Sequence, residues 1–269
     1  MTDKTNKYAG AVPDAYQEYL VPILFDSYAR DLASRITVPE QGAILETACG
    51  TGVLAEHLLE RLGNNIRLVE TDLNPAMLEN AATRLGSAAN VDFKAASGTE
   101  LPFDDDTFDA VACQFGVMFY PDITLGYREA ARVLKPGGQF IFNIWSELEK
   151  NGFSNSVHQI ALTLDKDNPP DFLQLPYVYS DASVATDQLE RAGFVDIQVT
   201  QLAKDSKATS ARQVALGLAA GSPLAMQLSE RGIAEKAVDI IEDALKNEYG
   251  EGEIMAAMEA IVIDAKLPS

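Results

Sequence analysis

Apolar positions along the chain fall into two alternating rhythms. Short apolar runs bounded by turn residues read as buried strands, and stretches with a 3.6-residue apolar period read as helices. Strands are predicted near 43–47, 66–71, 91–95, 108–114, 139–145 and 195–202, with a last one over 258–265. Helices are predicted between them: 52–62 stopping at Gly63, 75–85 opened by the Asn74-Pro75 cap, 122–134 opened by Asp122, and 182–192 stopping at Gly193. Strands that alternate with helices indicate a parallel sheet with crossover helices.

Three stretches lie outside that rhythm. Residues 14–35 form an amphipathic helix carrying Tyr16, Tyr19, Leu20, Ile23 and Leu24, and residues 1–12 before it read as loose. Residues 146–180 contain Pro169-Pro170, Pro176 and many aromatics and read as an insertion. Residues 205–250 read as two or three helices, the last with Ile233, Ala237, Ile241 and Leu245 on its apolar face. The predicted organisation is an N-terminal helical segment covering the site (1–40), a core (41–145), an insertion or lid (146–181), a continuation of the core (182–204), a helical lid (205–252) and a closing strand (253–269).

With 269 residues, 47% of them hydrophobic, the chain has enough apolar surface for one large core with a lid. No apolar run is long enough to span a membrane, and the first residues lack a signal-peptide pattern. The two cysteines, Cys49 and Cys113, fall at buried strand ends, which suits a reduced, cytoplasmic protein. Neither has metal-ligand spacing, and with only two histidines no metal is expected. A net charge of −19 argues against a nucleic-acid partner and fits an enzyme of small molecules or a protein partner; monomer and homodimer both stay open.

The chemistry concentrates in Glu46-Thr-Ala48-Cys-Gly50-Thr-Gly52, a small-residue turn between the first strand and its helix. Such a turn lets a ligand press against backbone, and a helix start offers unpaired N–H groups. Gly50-Thr-Gly52-Val-Leu-Ala55 also matches the dinucleotide fingerprint, with Asp72 ending the next strand, so an NAD-type oxidoreductase is one reading. Glu46 favours another. A carboxylate just before the turn repels a pyrophosphate but suits a ligand carrying an ammonium and a sulfonium.

Further landmarks follow in register: Glu70-Thr-Asp72-Leu73-Asn-Pro-Ala-Met77-Leu, Leu101-Pro-Phe-Asp-Asp-Asp-Thr-Phe108-Asp109, Cys113-Gln114-Phe-Gly116 and Arg132-Val-Leu-Lys-Pro136-Gly-Gly138. In this order they resemble the class I S-adenosylmethionine (SAM) methyltransferases, most closely the methyltransferase type 11 group related to ubiquinone and menaquinone biosynthesis methyltransferases. The resemblance covers about 40–145 strongly and the rest weakly. It implies a Rossmann-like, doubly wound sheet of seven mostly parallel strands with the last antiparallel, and a helical lid. It implies SAM as cofactor and S-adenosylhomocysteine (SAH) as product. It also implies a cofactor site from Glu46, Ala48, Gly50, Gly52, Asp72, Leu73, Met77, Ala96, Ser97, Gly98 and Gln114, in which Asp72 accepts the ribose hydroxyls and Glu46 acts at the methionine end. Met77 either covers the adenine or packs the core.

Two positions depart from the pattern. Ala48 replaces the usual first glycine, which is tolerable if its φ is negative. Ser97 stands where an aspartate usually meets the adenine amino group, so that contact weakens or passes to backbone atoms of Ala96 and Gly98. Phe115, Met118, Phe119 and Tyr120 are expected to wall the site beside the sulfur, and Asp104-Asp105-Asp106 reads as a solvated turn. Methyl transfer from a sulfonium mainly needs alignment of the nucleophile and exclusion of water, so no catalytic triad is required. If a base is used, His158 is the candidate histidine, with Tyr16, Tyr19, Tyr177 and Tyr179 as alternatives, while His57 reads as a surface or packing residue. The aromatic insertion, with Trp145, Phe153 and Phe172, suits a small apolar or aromatic acceptor, the acceptor atom being open. A SAM-binding protein without turnover is the remaining alternative, given Ala48 and Ser97.

Overall fold

A computed structural model of the chain describes residues 12–86, 88 and 90–269. Apart from Val12, the 1–12 stretch lies outside the described residues. The chain divides into two compact units, one of 28–145, 179–202 and 260–269, the other of 1–27, 146–178 and 203–259.

The first unit is built on a sheet. Its strands are β1 (Ala43–Thr47), β2 (Arg67–Asp72), β3 (Val91–Ala95), β4 (Phe108–Gln114), β5 (Leu134–Trp145), β6 (Val195–Ala208) and β7 (Ile254–Lys266), the last two starting or ending in the other unit. The order is β3-β2-β1-β4-β5-β7-β6. β1 to β5 pair in parallel, and β7 runs antiparallel to β5. This is the predicted seven-stranded, mostly parallel sheet. The central strands are covered on both faces, which is why β1 and β4 read as nearly unbroken apolar runs.

The helices of this unit are α2 (Asp26–Arg35), α3 (Val53–Leu62), α4 (Pro75–Leu85), α5 (Ile123–Val133) and α7 (Ala182–Arg191). Their ends follow the sequence signals. Asn74 accepts from Ala76 N, Asp122 from Leu125 N and Asp181 from Ser183 N. Tyr127 of α5 packs fully buried against Phe140 and Phe142 of β5.

Lys135-Pro-Gly-Gly138 does not precede a separate strand. Pairing jumps from Phe108↔Leu134 to Ala110↔Gln139, so the segment loops out within β5. The loop is held by the C-terminal segment: Gly137 N donates to Leu267 O and Leu267 N to Gly138 O. β6 and β7 are longer than their apolar patterns suggest.

The second unit is largely helical. α1 (Val12–Ala15) leads into a π-helix over Tyr16–Phe25. Pro22 lies inside that π segment and lacks an N–H to donate, and Asp26 N closes it on Val21 O, five residues back. α6 (Gly152–Leu164) forms within the stretch read only as an insertion. The 205–250 stretch, read as two or three helices, forms three: α8 (Ala211–Ala219), α9 (Leu224–Glu230) and α10 (Ala234–Tyr249). Ala237, Ile241 and Leu245 are buried on α10, whereas Ile233 sits at its cap. Gly217 of α8 lies against the Tyr19–Leu20 backbone, close enough that a side chain there would crowd the π-helix. No helix among the described residues is long and apolar enough to cross a membrane.

One packing constraint in the sheet unit is sharp. The Tyr120 ring lies between Gly98 and Gly126, and a methyl group on either glycine would fall inside the ring's van der Waals envelope. Gly126→Ala is expected to destabilise the protein by about 1–3 kcal/mol through overpacking. In a Tyr120→Ala background the added methyl finds room, so the same substitution costs much less. Denaturant titrations of the four combinations check this, and additive effects contradict the wedge.

Candidate functional site

The turn after β1 is the centre of the candidate site. Ala48, Gly50 and Gly52 have φ of 53°, 56° and 77°, three left-handed residues at alternate positions. The expectation of a negative φ at Ala48 is therefore corrected: the turn demands the left-handed region at that position whether or not a Cβ is present. The Ala48 methyl is accommodated because Gly116 stands opposite. A Cβ on Gly116 would come within 2.6 Å of both Ala48 Cβ and Cys113 Sγ.

Asp72, at the tip of β2, ties this turn to the next. Its Oδ2 accepts from Gly50 N at 2.9 Å and its Oδ1 from Asn74 N at 2.8 Å. Burial raises its pKa, and the backbone hydrogen bonds from Asn74, Gly50 and Leu73 pull the other way. Each oxygen keeps a lone pair, and the side chain is only half-buried. Next to it Leu73 is 50% exposed, an apolar surface beside a polar acceptor pair. Met77, by contrast, is buried in the core.

Glu46 lies directly opposite Glu70 in the β1–β2 register, and both are buried. Among the described residues no N–H group and no hydroxyl donates to Glu46 Oε2 or to either Glu70 carboxylate oxygen. Burial, then the facing carboxylate, holds Glu46 well above the ordinary glutamate range; burial pushes Glu70 to about 7. Cys49 Sγ is also pushed up, by burial and by Glu70.

The loop after β3 is self-contained. Ser97 Oγ pairs with Thr99 Oγ1 at 2.8 Å and accepts from Thr99 N at 3.2 Å, so its hydroxyl braces the turn. Ala96 N donates to Asp72 O, which places the loop beside β2. Tyr120 turns inward instead of walling the site: its hydroxyl donates to Thr47 Oγ1 at 2.8 Å and contacts Cys113 Sγ at 3.6 Å. Gln114 ends β4, half-buried. Phe115 follows with φ of 48°, its N–H bonded to Asn143 Oδ1 and its ring stacked on Trp145 at 3.8 Å, with Tyr28 edge-on to both. Met118 is buried and Phe119 44% exposed.

Two of the landmarks turn out to be braces. Arg132 donates to Leu101 O, Phe103 O and Asp105 Oδ1 and forks onto Glu129, while Leu101 N donates to Glu129 Oε2. Leu-Pro-Phe is thereby fastened to α5, and the exposed Asp104–Asp106 turn follows it. Asp109 Oδ2 accepts from Ala43 N and from Lys135 Nζ, which joins the start of β1 to the loop within β5.

The structure thus gathers Glu46, Ala48, Gly50, Gly52, Asp72, Leu73, Ala96, Ser97, Gly98 and Gln114 at the C-terminal edge of the parallel strands, where open α/β sheets bind ligands. His158 lies on α6 in the other unit, buried, with Nδ1 unpartnered and its pKa lowered by burial. His57 is buried on α3 beside Glu60. The sequence reading missed Glu70 as a site group. A glutamate inside an apolar strand, two residues before Asp72 and so on the same face, was the available signal.

Comparison with known proteins adds the following. The model of the ubiE/COQ5 methyltransferase family matches residues 24–164. A ubiquinone/menaquinone biosynthesis C-methyltransferase from Rickettsia felis is 41% identical over 118 residues, 42% of this chain and 48% of that protein. The match thus spans about half the length of this curated relative. Among solved structures, the YcgJ protein from Bacillus subtilis superposes with a TM-score of 0.61 at 18% identity, covering 90% of this chain and 99% of that one. A phosphoethanolamine N-methyltransferase 2 from Haemonchus contortus, in complex with S-adenosyl-L-methionine, gives a TM-score of 0.63 at 17% identity, covering 99% of this chain and 59% of that one. At these identities the two structures speak to the fold alone.

Two outcomes are expected. Ala48→Gly relieves a left-handed alanine and raises stability by about 1 kcal/mol, read from thermal or denaturant unfolding. Glu70 holds a proton in the folded state that the unfolded chain gives up above its ordinary value of 4.5, and it releases that proton near 7. Its stabilisation is therefore complete below about pH 4.5 and lost as pH rises through about 7. The melting temperature of Glu70→Gln should gain on that of the wild type across this window. A constant difference contradicts the assignment.

Proposed function

Because the chain belongs to the ubiE/COQ5 methyltransferase family, we propose that it transfers a methyl group from SAM to a small apolar or aromatic organic acceptor, releasing SAH. The observation that carries this reading is the pair formed by Asp72 and the left-handed turn. A carboxylate already orienting two backbone amides still offers lone pairs to a vicinal diol, and a side-chain-poor turn lets the rest of a nucleoside-linked amino acid lie on backbone.

The residues present fit that group. Asp72 would hold the ribose hydroxyls, and Leu73 would lie against the adenine. Glu46, unpartnered at Oε2 beside the turn, suits the cationic methionine end. Ser97 is occupied with Thr99, so adenine contacts would fall to backbone atoms of Ala96 and Gly98. The cofactor supplies a methyl on a positively charged sulfur, already electrophilic. What remains for the protein is to orient both partners and exclude water. Phe115, fixed by Asn143 and Trp145, gives a rigid apolar surface immediately after Gln114 for that purpose. The relatives named as ubiquinone/menaquinone biosynthesis C-methyltransferases make a quinol ring carbon the first acceptor to try.

A second reading, SAM binding without turnover, is favoured by the engagement of Ser97. Calorimetry with SAH, and NAD as control, followed by transfer of labelled methyl from SAM to a panel of quinols, phenols and amines, separates the readings. Binding of SAH with labelling of one acceptor class supports catalysis. Binding with no labelled product supports the second reading, and binding of NAD alone overturns both. Asp72→Ala should weaken SAH binding by about tenfold to a few hundredfold, as expected for losing hydrogen bonds to a charged acceptor.

A further inference from the structure

Glu46 and Glu70 pose a problem that the cofactor reading does not address. They are register partners on adjacent parallel strands, where side chains project to the same face about 5 Å apart. Glu46 is 1% and Glu70 0% exposed. Thr71 Oγ1 donates to the Glu46 backbone carbonyl, not to its carboxylate. Among the described residues no N–H group and no hydroxyl donates to either Glu70 oxygen or to Glu46 Oε2, and the groups close to Glu70 are the Glu46 carboxyl and the Cys49 thiol. The titratable groups facing the pair are Asp72 on β2, Cys49 in the turn and Cys113 on β4, all neutral or acidic and none cationic. Two ionised carboxylates in such a place would be buried charges without partners, which is far costlier than a single shared charge. One O–H···O⁻ bridge removes the repulsion and supplies the missing donor at once.

We propose that Glu46 and Glu70 share one proton in the free protein and release it to solvent when a cationic ligand binds at the glycine turn. Glu70 is then a positioning residue: it makes no ligand contact, and it sets the charge that Glu46 presents. The cation replaces the proton as the counter-charge of the pair, so binding and deprotonation are linked reciprocally. This rests on the cofactor reading above, with the ammonium common to SAM and SAH as the cation. It implies an affinity that rises with pH by up to tenfold per unit while the shared proton is held, because one proton must leave for each ligand bound.

The test uses the full chain with SAH. Infrared spectra of the free protein at neutral pH should show a buried protonated carboxyl stretch that is absent in Glu70→Gln, whose amide donates to an ionised Glu46. SAH should bleach that band in the wild type. Calorimetry in buffers of different ionisation enthalpy should count up to one proton released per SAH by the wild type, and close to none by Glu70→Gln, whose affinity should be flat with pH. A free wild-type protein without the band, or with the same band in Glu70→Gln, overturns the shared proton. A band that persists in the SAH complex overturns the coupling. Failure of SAH to bind overturns the cofactor reading and the coupling with it, while the spectrum of the free protein still decides the shared proton.

Discussion

Asp72 holds the turns at the tips of two neighbouring strands with one carboxylate. One oxygen takes the Gly50 amide and the other the Asn74 amide. Hydrogen bonds to a charged acceptor contribute about 1.5–3 kcal/mol each, and here they must also offset the desolvation of the acid itself. The arrangement works because β1 and β2 are parallel and in register, so both strands deliver their C-terminal turns to the same edge. A side chain at the end of one strand can then reach the backbone beyond the end of the other. The left-handed turn, the start of α3 and the start of α4 all take their places from this contact.

The same parallel register brings a cost. It sets Glu46 against Glu70 in an interior where the nearby titratable groups are thiols and a third carboxylate. A structure built only for stability would place apolar residues there. Polar groups kept buried and unpartnered next to a ligand-binding turn mark a place where stability and function pull in different directions. Ala48 and Phe115 tell the same story in backbone terms. Both are non-glycine residues held at positive φ beside the strand tips, and each is kept there by a specific neighbour, Gly116 for the first and Asn143 for the second.

The recurring motifs divide by physical task. The glycine turn and the Asp72 segment form the site's floor. Leu101-Pro-Phe, Asp109 and Arg132 through Gly138 are braces: Arg132 and Glu129 clamp one loop to α5, and Asp109 and Lys135 join the beginning of β1 to the loop in β5. Their rigidity matters to the site indirectly, since β1 and β4 can present their tips at a constant height only if their other ends are anchored.

Local sequence determined a great deal of this protein. The alternation of buried strands and capped helices, the stops at Gly63 and Gly193, the caps at Asn74 and Asp122, and the turn at 48–52 all depend on residues near one another in the chain, and they appear where the pattern places them. Within the insertion, α6 was hidden by its flanking prolines and aromatics, and the extra lengths of β6 and β7 are pairing effects with no local signature. Side-chain destinations across the sheet were beyond local reading. Ser97 looked like an adenine acceptor and braces its own turn; Tyr120 looked like a site wall and wedges between two glycines; Glu70 looked incidental and faces Glu46. Each of these outcomes depends on which strand lies beside which and in what register, a property of the assembled sheet that no stretch of contiguous residues encodes.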